Sequence, residues 1–341
     1  MKKLLLTIVL LAASSAFFAA SAQIPAWLGH IKPSGYLQGG YSYTVGGDNT
    51  FYIKRARLTW AGDLYKSPEI GTFDYKVQVD FANSPKLVDL FLKYTFCPEF
   101  GVQLGQFKTP LTIENSENPP AKLEFIDYSL VVQRFAQMSA QDLGGVNSTG
   151  RDMGIQFFGA LMPMSDGHPL LRYNLALFNG NGINKMDDDN LKNFMARMMV
   201  YPMKELNIGA YYMRRVGHMD EVNIYRDYDY RVRDRYGVGI AYDGKYAFAR
   251  TEIIEGHTDG YLARAAYVSG GFKVTDKLVL AARYDYFNEN VNTERMDMQY
   301  ITGEISYHLF PNLRFQLDYV YKQQMDRTVN HMVNFMTTII Y

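Results

Sequence analysis

The sequence predicts an all-β membrane protein: a transmembrane antiparallel β-barrel of sixteen strands, with a long inward-folded loop after the fifth. Three observations carry the prediction. Segments of roughly ten residues alternate apolar and polar side chains. The connections between them sort by length according to parity. An export-type N-terminus is followed by no further apolar run long enough for a membrane helix.

The alternation is clearest in FDYKVQVDF, residues 73–81, where Phe73, Tyr75, Val77, Val79 and Phe81 alternate with Asp74, Lys76, Gln78 and Asp80. Successive side chains of a strand point to opposite faces, so one face is apolar and the other charged. The pattern recurs at 86–96, 300–309 and 313–321. In chain order, strands are expected near 35–45, 51–65, 72–83, 86–96, 101–109, 151–161, 170–179, 192–201, 206–216, 236–244, 245–256, 261–274, 277–288, 298–309, 312–323 and 330–341. The fifth loses phase at Gln106 to Lys108 and the twelfth, YLARAAYVSGGFKV, is ambiguous; a bulge would re-phase either. The last places Val333, Phe335, Thr337, Ile339 and Tyr341 on one face, and an aromatic last residue resembles the assembly signal of bacterial outer-membrane proteins.

Outer-membrane barrels have short periplasmic turns and longer external loops. With the N-terminus in the periplasm, connections after even strands are short: KSPEIG, CPEFG, MPMSDGHP, YPMKE, Asp243-Gly244, TDK and PN. Those after odd strands include 110–150, 180–191, 217–235, 257–260 and 289–297, although two, at 46–50 and 84–85, are brief. A soluble sandwich has no reason to sort loops this way. A soluble sixteen-strand barrel with its apolar face inward would be too wide to fill with side chains. The apolar face therefore meets lipid and the polar face a wet lumen, with the backbone satisfied by closure.

Residues 1–22 read as a signal peptide: Lys2 and Lys3, an apolar run from Leu4, and Ala20-Ser21-Ala22 before the cut. Residues 23–34 are then a short periplasmic segment and 35–341 the barrel, a single domain. Without Lys2 and Lys3 the chain has 33 basic and 35 acidic groups, which argues against a nucleic-acid partner. The lone Cys97 excludes an internal disulfide. Aromatics make up 15% of the chain, with 27 Tyr, as aromatic girdles at membrane interfaces require and as β proteins in general favour.

The connection 110–150 is too apolar for disorder, with Leu123, Phe125, Ile126, Leu130, Val131, Val132 and Phe135. A short helix is expected over 121–137, after Pro119-Pro120. Packed inside the lumen, this loop narrows it; the alternative is a cover over the mouth. The runs GQFKTPLTIEN (105–115), TGRDMGIQFFG (149–159), LFNGNGIN (177–184) and ARMMVYP (196–202) resemble the phosphate-selective porin O and P family, in the form found in Bacteroidetes. The resemblance covers most of the chain and is densest over 101–205. It implies an outer-membrane barrel of a Gram-negative bacterium, a homotrimer that passes small hydrophilic or anionic solutes by diffusion. Phosphate selectivity does not follow from the family name.

Basic rings in a lumen favour anions and acidic rings cations. Strand phase places Arg55, Arg57, Lys76, Lys93, Arg172, Arg197, Arg250, Arg264, Arg283 and Arg314 inward, as candidates for selectivity. Asp74, Asp80, Asp89, Glu252, Asp285, Glu304 and Asp318 also face inward, so the expected wall is mixed in sign where the resemblance would lead to an arginine ladder. Weak anion preference, little selectivity and true phosphate selectivity all stay open. Lys122 and Arg134 are candidates for the constriction loop.

Other clusters point to bland roles. Asp187-Asp188-Asp189 offers oxygen ligands for calcium but reads as a solvated loop tip, and 220–235 as a charge-balanced loop. The six His residues form no metal spacing, and no cofactor is expected. Ser306 and His308 share a strand face without constituting a catalytic pair, so no enzyme is expected. The rival to a pore is a structural or adhesive barrel that presents 180–191 and 217–235 to a partner.

Overall fold

The computed structural model describes residues 32–136, 150–187, 190–218, 230–258, 261–293 and 297–341. Among them sixteen strands form one closed barrel. They are β1 (Lys32–Thr44), β2 (Asn49–Ser67), β3 (Gly71–Asp80), β4 (Lys86–Cys97), β5 (Phe100–Lys108), β6 (Arg151–Pro163), β7 (Pro169–Phe178) and β8 (Asn193–Met203). The second half comprises β9 (Leu206–His218), β10 (Tyr230–Asp243), β11 (Ala247–Thr258), β12 (Tyr261–Lys273), β13 (Leu278–Asn288), β14 (Asp297–Phe310), β15 (Leu313–Gln323) and β16 (Val329–Ile340). Each pairs antiparallel with its sequence neighbours, and β1 closes the ring on β16 with Tyr36 opposite Ile340. No sheet edge is left, which a strand-built membrane span requires. No helix among the described residues is long and apolar enough to cross a membrane.

The two faces follow the alternation. On β4, Leu90, Leu92 and Phe96 are exposed while Asp89 is buried. On β14, Ile301, Ile305 and Tyr307 are exposed while Thr302, Glu304 and Ser306 are buried. Exposed apolar side chains thus cover the outside, and buried polar ones line the inside. Closure is sealed at Gly35, whose amide and carbonyl exchange hydrogen bonds with Tyr341 at 2.8 and 3.0 Å. A Cβ at Gly35 would sit 2.5 Å from the Tyr341 ring, so only glycine admits the terminal aromatic here.

Several boundaries differ from expectation. Strand β1 begins at Lys32, inside the segment assigned to 23–34, and β10 begins at Tyr230, so the strand absorbs YRVRDR from the expected 217–235 loop. Cys97 ends β4 rather than lying in a turn. The helix expected over 121–137 is not a continuous one: among the described residues Leu130 and Val131 are α-helical and run into a π turn, while 123–129 are not helical. Instead a short α-helix, α1 (Ile113–Glu117), precedes the proline pair, capped by the Thr112 side chain. Pro120–Lys122 form a 3-10 turn and Val132–Ala136 a π turn. Proline fixes φ and lacks an amide donor, so Pro119-Pro120 ends the helical stretch instead of starting a longer one. The leader 1–22 lies outside the described residues.

Candidate functional site

The described part of the connection after β5, residues 109–136, runs through the barrel interior. It touches inward-facing side chains on β1, β2, β8, β11, β13, β14 and β15, which only a segment within the lumen can reach. Wall carboxylates accept its amides. Glu252 takes the Ile113 and Glu114 amides at 2.5 and 2.9 Å, Glu304 takes Ile126 at 3.0 Å, and Asp285 takes Leu130 at 3.0 Å. Wall cations donate to its carbonyls. Arg283 reaches Asp127 and Tyr128 at 2.9 and 3.3 Å, and Arg314 reaches Leu123 and Ala121 at 2.8 and 3.1 Å. Lys54 bonds the Ile126 carbonyl at 3.0 Å and pairs with Asp127. Lys54 and Arg55 both point inward because a bulge falls between them, opposite Gln38/Gly39.

An apolar contact completes the seat. Ile113, Leu130, Val132 and Phe135 of the loop pack with Met195, Met199, Met213, Ile254, Phe287 and Met298 of the inner wall. Each such fully buried side chain contributes about 1.5–3 kcal/mol. The loop thus fills the side of the lumen next to β9–β15. Tyr128, inside it, donates to the Asn118 carbonyl at 3.0 Å; burial pushes its hydroxyl above the usual range and keeps it a donor.

The open space lies on the opposite side, against β1–β8. It is a cavity of about 320 Å³ between that wall and the loop, and its cations are Arg57, Lys76, Lys108, Arg151 and Arg197. Arg57 pairs with Asp80 at 2.9 Å, Lys76 and Arg151 share Asp89 at 2.6 and 2.5 Å, and Arg197 pairs with Glu117 at 2.6 Å. Lys108 bonds the Asn115 and Asn118 carbonyls at 2.5 and 3.1 Å rather than a carboxylate. Five cations therefore face three carboxylates.

The sequence-derived candidates divide into groups. Arg57, Lys76 and Arg197 line the opening, and Arg55 lies beside it, bonded to Gln38 at 2.8 Å. Lys93 approaches Asp74 at 4.0 Å, and Arg172 lies over the Tyr201 ring. Arg283 and Arg314 anchor the loop through its carbonyls, and Arg250 does so by pairing with Glu124. In the loop, Lys122 is exposed and Arg134 lies over the Phe287 ring. Arg264 is a correction. It sits on the outer face with Val268 and Phe272, pairs with outward Glu255, and its side chain is 41% exposed. Small residues on both faces of β12 left its phase undetermined in the sequence. Lys54, Lys108 and Arg151 were missed. Lys108 and Arg151 lie where the fifth strand loses phase and beside it in register, and both fall within the GQFKTP and TGRD runs.

Of the acidic tip, Asp187 pairs with Lys192, and Asp188 and Asp189 lie outside the described residues. Residues 219–229 of the other external loop lie outside them too. No group of potential metal ligands occurs among the described residues. Ser306 Oγ makes no hydrogen bond to His308.

A closed barrel with an apolar outer face and a charged, partly filled lumen defines a transmembrane channel. The family model of phosphate-selective porin O and P matches residues 35–279, most of the chain, so the protein belongs to that family and is an outer-membrane porin of a Gram-negative bacterium. Solved porin-type structures share the fold at low identity. The trimer form of OmpT from Vibrio cholerae superposes with a TM-score of 0.67 at 13% identity, over 91% of this chain and 99% of that one. An anion-selective porin from Comamonas acidovorans gives 0.70 at 9%, over 91% and 99%. The outer-membrane channel DcaP of Acinetobacter baumannii gives 0.68 at 13%, over 91% and 97%. A search of curated protein sequences found no match.

Proposed function

We propose that this porin passes small hydrophilic solutes by passive diffusion through the opening between the loop and the β1–β8 wall, with a weak preference for anions. The observation that carries the reading is the charge of that opening: five cations against three carboxylates, with Lys108 held by two carbonyls and the Tyr128 hydroxyl rather than by a carboxylate. A basic constriction lowers the barrier to anions and raises it to cations. Every arginine and lysine there except Lys108 is tied to a carboxylate, which keeps the preference weak and argues against a phosphate trap. The residues that set it are Arg57, Lys76, Lys108, Arg151 and Arg197, while Arg250, Arg283 and Arg314 set the position of the loop. Assembly as a homotrimer accords with the trimer form of OmpT, a fold relative.

The test is the reversal potential across a KCl gradient, from purified folded protein in a planar bilayer. A stable conductance that favours chloride supports the reading. Conductance without charge preference removes the selectivity. Folded barrels that carry no current remove diffusion altogether.

A further inference from the structure

A second cavity, also about 320 Å³, opens on the other side of the loop from the proposed path. It lies at the short-turn rim, roofed by Ala121, Lys122 and Glu124 of the loop and floored by the turn Pro311-Asn312. Its walls are the inner faces of β10–β16. The two carboxylates near it are already neutralised: Glu124 pairs with Arg250, and Asp243 pairs with Lys273 at 2.8 Å and approaches Arg250 at 3.9 Å. Two cations remain. Arg314 spends two of its nitrogens on loop carbonyls and pairs with no carboxylate among the described residues. Lys122 is exposed at the roof.

Two buried polar atoms here lack a partner among the described residues. They are Ser306 Oγ and Arg314 Nε, on residues 4% and 7% exposed. Buried donors without partners cost about 1–3 kcal/mol each, so groups of this kind favour a polar occupant. His308, opposite Arg314 in register, and Thr338 also line the bay, and its apolar lining is Phe248, Val279 and Ile340.

The geometry points to a binding site for a small organic anion with an apolar body, an aromatic or branched-chain carboxylate. The carboxylate meets Arg314, Ser306 and Lys122, and the body lies along Phe248, Val279 and Ile340. A preformed apolar cavity of about 150 Å³ accepts a benzene-sized ring, so a ring and its carboxylate fit. Inorganic phosphate satisfies only the polar half. In the channel, which this inference takes as given from the pore reading, the site is a side bay that holds such a solute near the short-turn mouth.

The experiment is isothermal titration calorimetry of the full-length folded barrel in detergent, with benzoate, acetate and inorganic phosphate as probes. Burial of the ring makes benzoate bind about tenfold tighter than acetate. Val279→Trp fills the bay and abolishes benzoate binding, and Lys122→Glu and Ser306→Ala weaken it several-fold, with heat-modifiable mobility confirming that each variant folds. Equal binding of benzoate, acetate and phosphate overturns the proposal, as does benzoate binding that survives Val279→Trp. Calorimetry does not read current, so its failure is separate from failure of the pore reading, which the KCl gradient decides.

Discussion

Glu252 on β11 receives the amides of both Ile113 and Glu114, so one wall carboxylate caps the N-terminal turn of the loop helix. Helix-terminal amides lack partners within their own helix, and here an inward side chain 138 or more residues away supplies the acceptor. Replacing Glu252 with Ala leaves three buried donors unsatisfied, the two loop amides and the Tyr267 hydroxyl, at about 1–3 kcal/mol each. The expected result is a folded barrel whose loop leaves its seat, read as larger or noisier single-channel steps than wild type. Steps of unchanged size and noise would mean that the loop does not depend on this contact.

The apolar seat gives a second expectation. Phe135 and Leu130 are almost fully buried against wall residues that include Met298 and Phe287. Truncation of either to Ala costs about 2–5 kcal/mol of local packing. Because the barrel's own pairing is untouched, that loss appears as exposure of the loop rather than unfolding. Limited proteolysis of the folded variants is expected to cut within 110–136, where wild type resists. Equal resistance would place the loop's stability elsewhere.

Much of this architecture was legible in the sequence because a barrel in lipid imposes a simple rule on each strand. Phe73 to Phe81 and Ile301 to Leu309 obey it without tertiary help. What was not legible is which inward charges act on the loop. Arg57 and Arg283 share residue type and phase, yet one lines the opening and the other holds two loop carbonyls. Only the path of residues 110–136 separates them. Met195, Met199 and Met213 likewise break the polar-inside rule, since their partner is the loop rather than water. Arg264 went astray because the alanines and glycines of β12 fit either face.

Closure at Tyr341 is testable through assembly. The Tyr341 hydroxyl crosses β1 to the Arg57 carbonyl at 3.1 Å, and its ring occupies the space above Gly35. Gly35→Val fills that space and is expected to reduce the heat-modifiable, folded fraction strongly. Tyr341→Phe keeps the ring and loses one hydrogen bond, about 1 kcal/mol, so it folds nearly as wild type. If Gly35→Val folds normally, the ring is not seated as described.

Charge reversal at two positions separates lumen from lipid face. Lys108→Glu converts the opening from five cations and three carboxylates to four and four. The reversal potential across a KCl gradient is then expected to move to the cation side. The shift is larger near 0.1 M salt than near 1 M, because the Debye length falls from about 10 Å to about 3 Å. Arg264→Glu changes the same formal charge on the outer face, where the side chain meets Glu255 instead of the solute path. It leaves the reversal potential unchanged at either salt. Equal shifts from both variants would mean that the preference comes from the overall charge of the barrel and not from the ring beside the loop.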